Sequence, residues 1–478
     1  MGGGLMQLVA YGAQDIYLTG NPQITFFKVV YRRHTNFSME SIEQTFNGSA
    51  NFGSKLTCPI SRNGDLIHRI YLQASVNGDT PLKSWAGHKL IKSVEIEIGG
   101  QKIDRHYGEW LHIWNELTQT SSKWDGYKMM VNGYGKSGTD DKFMYVPLQF
   151  WFCRNPGLAL PLIALQYHEV KIILDLAPAA EVATATSTLN TCSLFVDYIY
   201  LDTDERRRFA QVSHEYLIEQ LQFTGDESVS SKVKLNFNHP VKELVWVEKT
   251  DNSAVGEFTT SYDTAKLQLN GHERFSARPY SYFQLVQPFQ HHERVPVKML
   301  PAEKTEVAAP TWDSTGVDFS DPKAMGQFLG GFTVDLDGLS LVATDDFDTF
   351  NDLHGETNVA DGTTWSSTYY DLFANAADVA DGEDAFVALF NALPATWKNA
   401  VKVSKTTPAT SKGGDINVYS FALKPEEHQP SGTCNMSRID NATLNLANAT
   451  STNTLKVFAV NYNVLRIMSG MGGLAYSN

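Results

Sequence analysis

The sequence has few cysteines and no long apolar run. Its cysteines lie far apart and form no Cys-x-x-Cys pair, which argues against a disulfide-rich scaffold and a zinc ribbon. They are Cys58, Cys153, Cys192 and Cys434. The longest apolar stretch, residues 158–165, contains Pro161 and is far too short to span a bilayer. The first residues also lack the pattern of a secretory signal. We therefore expect reduced thiols and a chain that stays in the cytosol without a membrane anchor.

Basic residues are also scarce relative to acidic ones. The chain of 478 residues has 39 Lys and Arg against 53 Asp and Glu, a formal charge of −14. This balance argues against a protein that binds mainly by neutralising nucleic-acid phosphates, and against a polybasic membrane binder. Hydrophobic residues make up 42% of the chain, enough for a packed globular core.

One segment, residues 324–397, carries almost all of the net charge. It contains 13 acidic residues and neither Lys nor Arg. Such a block is more often a solvated surface region than a binding site. It also holds large apolar residues, among them Trp365, Phe373 and Phe390, so it has enough apolar surface for a small folded unit. The stretch DAFVALFNAL, which starts at Asp384, predicts a short helix.

Strand patterns dominate the rest of the chain. Val94, Ile96 and Ile98 alternate with glutamates, as expected of a half-buried strand. Similar alternation occurs at residues 232–237 and 194–201. Sustained helical periodicity is rare, and its best example is residues 109–117. Four residues there share one helical face. They are Trp110, Ile113, Trp114 and Leu117.

Asn-Gly pairs supply further turn signals. Such pairs readily adopt the positive φ angles that tight hairpin turns require. Five pairs occur, starting at Asn47, Asn63, Asn77, Asn132 and Asn270. Together with the strand patterns, they predict an all-β chain.

The two halves of the chain resemble each other. Residues 94–105 match residues 265–278 at an offset of 171, which pairs Ile96 with Leu267 and Gly100 with Gly271. Residues 196–201 match residues 460–465 at an offset of 264, so 93 more residues intervene in the second half. The excess coincides with the acidic segment. We expect two similar β-domains, and tandem jelly rolls fit better than a propeller, which needs four or more repeats.

No motif predicts catalysis, a cofactor or a metal. Gly133, Gly135 and Gly138 spell Gly-x-Gly-x-x-Gly, but the residues that follow lead into another strand and not into a helix. No histidine pair has the His-x-His or His-x-x-x-His spacing, and no Gly-x-Ser-x-Gly elbow occurs. The run His291-His292-Glu293 could chelate a metal, but a solvated loop is the simpler interpretation. We predict that the protein is not an enzyme.

Two basic clusters remain. They are Arg32-Arg33-His34 and Arg206-Arg207-Arg208. One interpretation is contact with an acidic partner, such as an anionic membrane or another protein. The other is local pairing, which we favour for the second cluster because acidic residues directly precede it. Those residues are Asp202, Asp204 and Glu205.

Five long blocks of the sequence are distinctive. They are YGAQDIYLTGNPQITFFKVVYRRHTNF (11–37), PGLALPLIALQYHEVKI (156–172), HEYLIEQLQFTG (214–225), SGTCNMSRIDNATL (431–444) and NYNVLRIMSGMGGLAYSN (461–478). These blocks closely resemble the major capsid proteins of nucleocytoplasmic large DNA viruses. The resemblance implies two tandem eight-stranded jelly rolls with a few short helices. It also implies a homotrimer that forms a pseudo-hexagonal capsomer in an icosahedral shell. The resemblance implies a departure between about residues 295 and 415, because sequences of this type usually have a much shorter connection there.

The resemblance, the repeat and the charge map together give an expected organisation. We predict an N-terminal arm at 1–25, a first jelly roll at 26–212 and a second at 213–478, with an acidic loop or cap inserted at about 296–414. We expect the cap to lie at the outer end of the second jelly roll, and Ile96 and Leu267 to be equivalent core residues.

The resemblance also implies partners and a location. The expected partners are copies of the same chain, neighbouring capsomers, minor capsid or cement proteins and, at the inner face, an internal membrane. We expect no direct sequence-specific nucleic-acid binding. The protein would assemble in the host cytoplasm and reside in the virion. An alternative is a virion surface jelly roll that binds a host receptor or glycan.

Overall fold

The fold is taken from a computed structural model of the chain. The parts of the chain that it describes are residues 6, 9–10, 12–21, 34–77, 81–133, 143–184, 186–250, 255–300, 304–307, 332–336, 339–342, 401–406, 410–449 and 452–476.

The described residues form many strands and a few short helices. The strands are β1 Phe37–Gln44, β2 Lys55–Pro59, β3 Leu66–Asn77, β4 Ile91–Ile98, β5 Gln101–Tyr107, β6 Phe143–Pro147, β7 Leu160–Pro161, β8 Val170–Leu176, β9 Thr188–Leu201, β10 His214–Ser228, β11 Lys232–Leu235, β12 Pro240–Lys249, β13 Thr264–Leu269, β14 His272–Glu273, β15 Arg278–Pro279, β16 Val297–Leu300, β17 Lys304–Val307, β18 Phe332–Leu336, β19 Leu339–Val342, β20 Val401–Thr406, β21 Thr410–Gly413, β22 Asn417–Ser420, β23 Cys434–Asn435, β24 Ala442–Ala447, β25 Thr454–Met468 and β26 Met471–Leu474. The helices are α1 Ile16–Thr19, α2 Ala86–Leu90, α3 Gly108–Thr118, α4 Ser121–Met130, α5 Trp151–Arg154, α6 Ala179–Val182, α7 Thr203–Gln211 and α8 Gln287–His291. A π-helical segment, Tyr282–Val286, precedes α8, and 3-10 turns occur at Pro156–Leu158 and Met436–Arg438.

Two antiparallel sheets form a sandwich in the first half of the chain. One sheet has the order β1-β9-β3-β6, and the other has the order β2-β8-β4-β5. Their inner faces share one core, in which Leu72, Val196 and Ile96 are buried. Alternation explains this core, because every second residue of a strand faces the opposite sheet.

The second half repeats this arrangement strand for strand. Its sheets have the orders β10-β25-β12-β22 and β11-β24-β13-β14, with short additional strands at their margins. The strand at each position of these sheets corresponds to the strand at the same position in the first half, so that β10 corresponds to β1 and β25 to β9. Eight strands in two sheets with this non-sequential order form a jelly roll. The predicted fold class of two tandem eight-stranded jelly rolls with a few short helices is therefore confirmed.

The first repeat found in the sequence corresponds to equivalent strands. Ile96 on β4 and Leu267 on β13 both lie in the third strand of their sheets, and both are buried. Each strand ends in a two-residue turn whose central residues have positive φ. The angles are 60° and 83° at Gly99 and Gly100, and 51° and 82° at Asn270 and Gly271. This is the geometry of a type I′ hairpin turn. The prediction that Ile96 and Leu267 are equivalent core residues is confirmed.

The second sequence match, between residues 196–201 and 460–465, pairs equivalent strands but does not pair equivalent residues. Val196 on β9 and Val460 on β25 occupy strands at the same place in their sheets. Val196 faces the core of its own sandwich, whereas Val460 faces outward against α3. Because side chains alternate, a slip of one residue in an alignment exchanges the two faces of a strand.

The turn predictions are only partly correct. Of the five Asn-Gly pairs, the pair at Asn270 has positive φ at both residues. Asn132 and Gly48 each have positive φ, whereas Asn63 and Gly64 do not. The second residue of the remaining pair, Gly78, lies outside the described residues.

The acidic insertion begins and ends in paired strands. β16 pairs with β21 in antiparallel register, from Val297 opposite Gly413 to Leu300 opposite Thr410. Beyond this pair, β17, β20, β18 and β19 form a small sheet. The helix predicted from Asp384 lies outside the described residues.

Candidate functional site

The two sandwiches meet along an extensive contact, which we call the junction. Its apolar part is built by α3, which belongs to the first half and packs on the outer face of the sheet formed by β12, β22 and β25. The cluster comprises Trp110, Ile113, Trp114, Leu117, Val245, Val247, Phe258, Ile416, Val418, Phe458 and Val460. The helix face found by periodicity is therefore buried, and it is buried by the other half of the chain.

The junction explains why β12 lacks simple alternation. Leu244 and Trp246 face the core of their own sandwich, while Val245 and Val247 face α3. All four side chains are buried. A strand that is covered on both faces has an almost continuous apolar sequence.

A carboxylate at the start of α3 joins the halves through ion pairs. Glu109 lies 2.7 Å from the Nζ atom of Lys456 on β25 and 2.5 Å from that of Lys249 on β12. Burial opposes the charge on Lys456, but the carboxylates of Glu109 and Asp226 outweigh burial and raise its pKa. The charges around α3 are thus compensated across the junction.

A second set of charges surrounds Glu219 on β10. Arg154, at the end of α5, donates a hydrogen bond of 2.6 Å to one carboxylate oxygen. The Nζ atom of Lys242 lies 2.8 Å from the other oxygen, and its side chain is fully buried. Burial lowers the pKa of Lys242, and Glu219 opposes that change. The Arg154 guanidinium also lies 3.9 Å from the ring centre of Trp114.

His292 lies just before β16, at the start of the insertion, which we call the insertion root. The prediction that it lies in a solvated loop is wrong. Its Nε2 atom is 3.0 Å from Glu243 Oε2, and its Nδ1 atom is 2.8 Å from Glu426 Oε1. The imidazole is fully buried. Burial favours the neutral ring, but the two carboxylates outweigh burial and raise the pKa of His292 to about 9. The ring is therefore a cation at neutral pH, and it serves as a structural ion-pair partner.

Arg294, also at the insertion root, contacts residues of the first half of the chain. Its backbone N–H donates a 2.9 Å hydrogen bond to the carbonyl of Leu117, at the end of α3. Its guanidinium lies 3.5 Å from the ring centre of Trp124 and 3.4 Å from Glu116 Oε2. Burial raises the pKa of Glu116 to about 7, although Arg294 opposes the change. The insertion is thus anchored to both sandwiches.

Two buried histidines lie near this anchor. His88 Nε2 is 2.6 Å from the Tyr127 hydroxyl, and the His88 ring stacks on Trp85. The Trp85 ring meets His112 edge to face, with 4.6 Å between ring centres. Burial lowers the pKa of both imidazoles, that of His112 to about 3. Both rings are therefore neutral at physiological pH and pack as aromatic side chains.

The C-terminal hairpin of β25 and β26 also reaches the first half. The backbone N–H of Tyr167 donates a 3.0 Å hydrogen bond to the carbonyl of Gly470. The Nδ1 atom of His168 lies 2.9 Å from the carbonyl oxygen of Gly472. Leu474 N–H donates to the side chain of Gln101 at 3.3 Å. The C-terminal hairpin thus binds the first sandwich through hydrogen bonds.

A cleft of about 260 Å³ lies beside the junction. It is lined by Trp151, Arg154, Asn155, Pro156, Leu158, Glu219, Glu426 and His428. Its two carboxylates already pair with Arg154 and His292. Among the described residues, no group of three His, Cys, Asp or Glu side chains could hold a metal ion.

The glycine motif lies only partly within the described residues. In the glycine motif, Gly133 follows α4, and Gly135 and Gly138 lie outside the described residues. Within the described part of the chain, no helix is long and apolar enough to cross a membrane.

The second basic cluster lies on α7, between the two sandwiches. Arg206 pairs with Asp65, with its Nε atom 2.9 Å from Oδ1. Pairing was expected, but the predicted partners among the preceding acidic residues were wrong, because helix geometry points Arg206 toward the loop before β3. Arg207 and Arg208 are exposed. In the first cluster, Arg32 and Arg33 lie outside the described residues, and His34 is exposed.

Two protein families match the two halves of the chain. Residues 25–202 match the family described as major capsid protein N-terminus. Residues 205–300 and 387–473 match the family described as large eukaryotic DNA virus major capsid protein. The second match omits residues 301–386, which lie within the expected insertion.

Individual proteins are similar over the whole length of the chain. The chain is 60% identical to the major capsid protein of Pyramimonas orientalis virus and 46% identical to that of Phaeocystis pouchetii virus, with 100% of both chains covered in each case. Among solved structures, a quasi-atomic model of the PBCV-1 virus capsid has a TM-score of 0.63 at 33% identity. That match covers 95% of this chain and 100% of the other.

Proposed function

Since the chain belongs to the family of major capsid proteins of large eukaryotic DNA viruses, we propose that three copies associate into a pseudo-hexagonal capsomer of an icosahedral shell. Proteins of this family are structural components of the capsid and not enzymes. The trimer, the shell geometry and the assembly of capsomers in the host cytoplasm are the parts that we propose.

The observation that carries the proposal is the identical strand order of the two sandwiches. Two similar units in one chain, repeated three times around a threefold axis, give six similar units in a nearly hexagonal outline. Hexagonal outlines tile a surface. The buried charges and apolar residues of the junction hold the two units at a fixed spacing, which such tiling requires.

Further partners follow from the same proposal. Neighbouring capsomers contact the sides of the hexagon, and minor capsid or cement proteins fill the gaps between them. An internal membrane lies below the inner face. We propose the bounds 26–212 and 213–478 for the two jelly rolls, after an arm at 1–25. The acidic insertion at about 296–414 forms a cap on the second.

Gel filtration with light scattering tests the trimer. We expect a species of about 160 kDa, three times the chain mass of 53.2 kDa, and hexagonal particles in negative-stain micrographs. A chain that stays monomeric at micromolar concentration would contradict the proposal. A monomer that also binds a glycan array would favour a receptor-binding jelly roll instead.

A further inference from the structure

The same connection carries a helix in each half of the chain. In the first half, α3 lies between β5 and β6. In the second half, the segment Tyr282–Val286 and α8 lie between β14 and β22. These are equivalent connections, because the strands that they join hold the same places in their sheets.

The two helices also match residue by residue, at an offset of 172. Leu111 matches Phe283, and both side chains are buried in the core of their own sandwich. Asn115 matches Gln287, and both are buried polar residues. The offset exceeds that of the preceding strands by one residue. A single inserted residue between strand and helix accounts for the difference.

The outward faces of the two helices differ in what covers them. On α3, Ile113, Trp114 and Leu117 are buried against the second sandwich. The matching residues form the second-half helix face, and they are exposed. They are Leu285 at 40%, Val286 at 39% and Phe289 at 79% exposure. Three large apolar residues on one exposed helix face indicate an interface.

The first sandwich has the complementary feature. In the second sandwich, α3 covers Val245, Phe458 and Val418, which lie on β12, β25 and β22 and are at most 1% exposed. The matching strands β3, β9 and β6 carry the outer aromatic face, Tyr71, Phe195 and Tyr145, which is only partly buried. Tyr71 and Phe195 stack with 5.2 Å between ring centres.

We propose that the second-half helix face packs on the outer aromatic face of a second copy of this chain. The junction within each chain is the template for this contact. Three such contacts would alternate with three internal junctions and close a ring of six sandwiches, since a head-to-tail contact closes when its rotation matches the symmetry. The inference rests on the proposed trimer and names the residues that form it.

The test compares Phe289→Asp with Tyr167→Asp by native mass spectrometry and light scattering. Tyr167 is a matched control, because its aromatic side chain is 76% exposed and it lies at the C-terminal hairpin, where its backbone N–H donates a hydrogen bond to Gly470. We expect Phe289→Asp to raise the dissociation constant of the trimer at least about 30-fold, as for an interface hot spot. Tyr167→Asp should leave it unchanged. Circular dichroism spectra of both variants should match wild type, which shows that each chain still folds.

A photo-cross-link locates the contact independently of stability. With p-benzoylphenylalanine in place of Phe289, irradiation should join the helix to peptides that contain Tyr71, Tyr145 or Phe195. Mixing isotopically light and heavy chains shows that the link joins two copies. Links confined to other peptides would overturn the inference, as would wild-type affinity of Phe289→Asp. In either case a wild-type trimer would preserve the proposed function, whereas a wild-type monomer would contradict both.

Discussion

The imidazole of His292 lies 3.0 Å from the carboxylate of Glu243, and neither side chain is exposed to solvent. Glu243 is on β12, whereas His292 lies just after α8 at the root of the insertion. Two buried charges are tolerated only when each compensates the other, because the interior solvates neither of them. The pair therefore holds the insertion root to the second sandwich.

Removing the imidazole should be costly. In His292→Ala, the carboxylate of Glu243 stays buried without its partner, and we expect the free energy of unfolding to fall by about 3–5 kcal/mol. Urea denaturation of the purified protein measures the change. The control is Lys424→Ala, which removes an exposed ion pair with Glu427. That variant should stay close to wild type, and an equal loss in both variants would contradict the role of His292.

The same pair predicts a loss of stability at alkaline pH. The folded-state pKa of His292 is about 9, above its ordinary value of 6.5. Its contribution is therefore fully present below about pH 6.5, and it is lost as the pH rises through 9. We expect the difference in unfolding free energy between wild type and His292→Gln to shrink across this window. A difference that grows with pH would show that the ring is neutral in the folded state.

The equivalent core positions should respond alike to a buried charge. Ile96→Asp and Leu267→Asp each place a carboxylate among apolar side chains, with no cation to pair with it. We expect both variants to yield no soluble trimer in native mass spectrometry. Ile96→Val and Leu267→Met keep the core apolar and should cost less than about 1.5 kcal/mol. Soluble trimer from only one Asp variant would contradict the equivalence.

The apolar junction should couple the melting of the two sandwiches. Trp110→Ala leaves a cavity between α3 and the second sandwich, at an expected cost of about 3–5 kcal/mol. We expect scanning calorimetry to resolve two transitions where wild type shows one. Leu111→Ala, whose side chain packs in the core of the first sandwich, should lower the melting temperature without splitting the transition. One transition in Trp110→Ala would indicate that the charged contacts alone couple the halves.

Most of the acidic insertion should be dispensable for assembly. Deleting residues 324–397 leaves the β16–β21 pair, His292 and Arg294 in place. We expect native mass spectrometry to detect the same trimer as in wild type, with a mass lowered by the deleted segment. Monomers or aggregates from this variant would show that the insertion contributes to the contacts between copies.

Local patterns were sufficient to predict the duplicated sheets. Ile96 and Leu267 could be paired because each precedes a tight glycine-containing turn, and such a turn fixes the register of its hairpin. Val196 and Val460 lack a comparable marker nearby. Their alignment therefore slipped by one residue, which was enough to exchange inner and outer faces.

The junction could be predicted only in part. Periodicity showed that Trp110 and Trp114 share a buried face, but it carries no information about which element buries that face. His292 was misplaced because its partners, Glu243 and Glu426, are distant in sequence. Nothing near His292 signals burial. Contacts between elements far apart in the chain decide both cases.

The paired strands at the base of the insertion make this position suited to grafting. The insertion begins in β16 and ends in β21, and these two strands are paired. The two ends of the insertion are therefore close together. A foreign polypeptide whose own ends are close together could replace it without straining the second sandwich. The entropy of closing such a loop grows only with the logarithm of its length. A long foreign epitope would therefore lower the free energy of unfolding only slightly more than a short one.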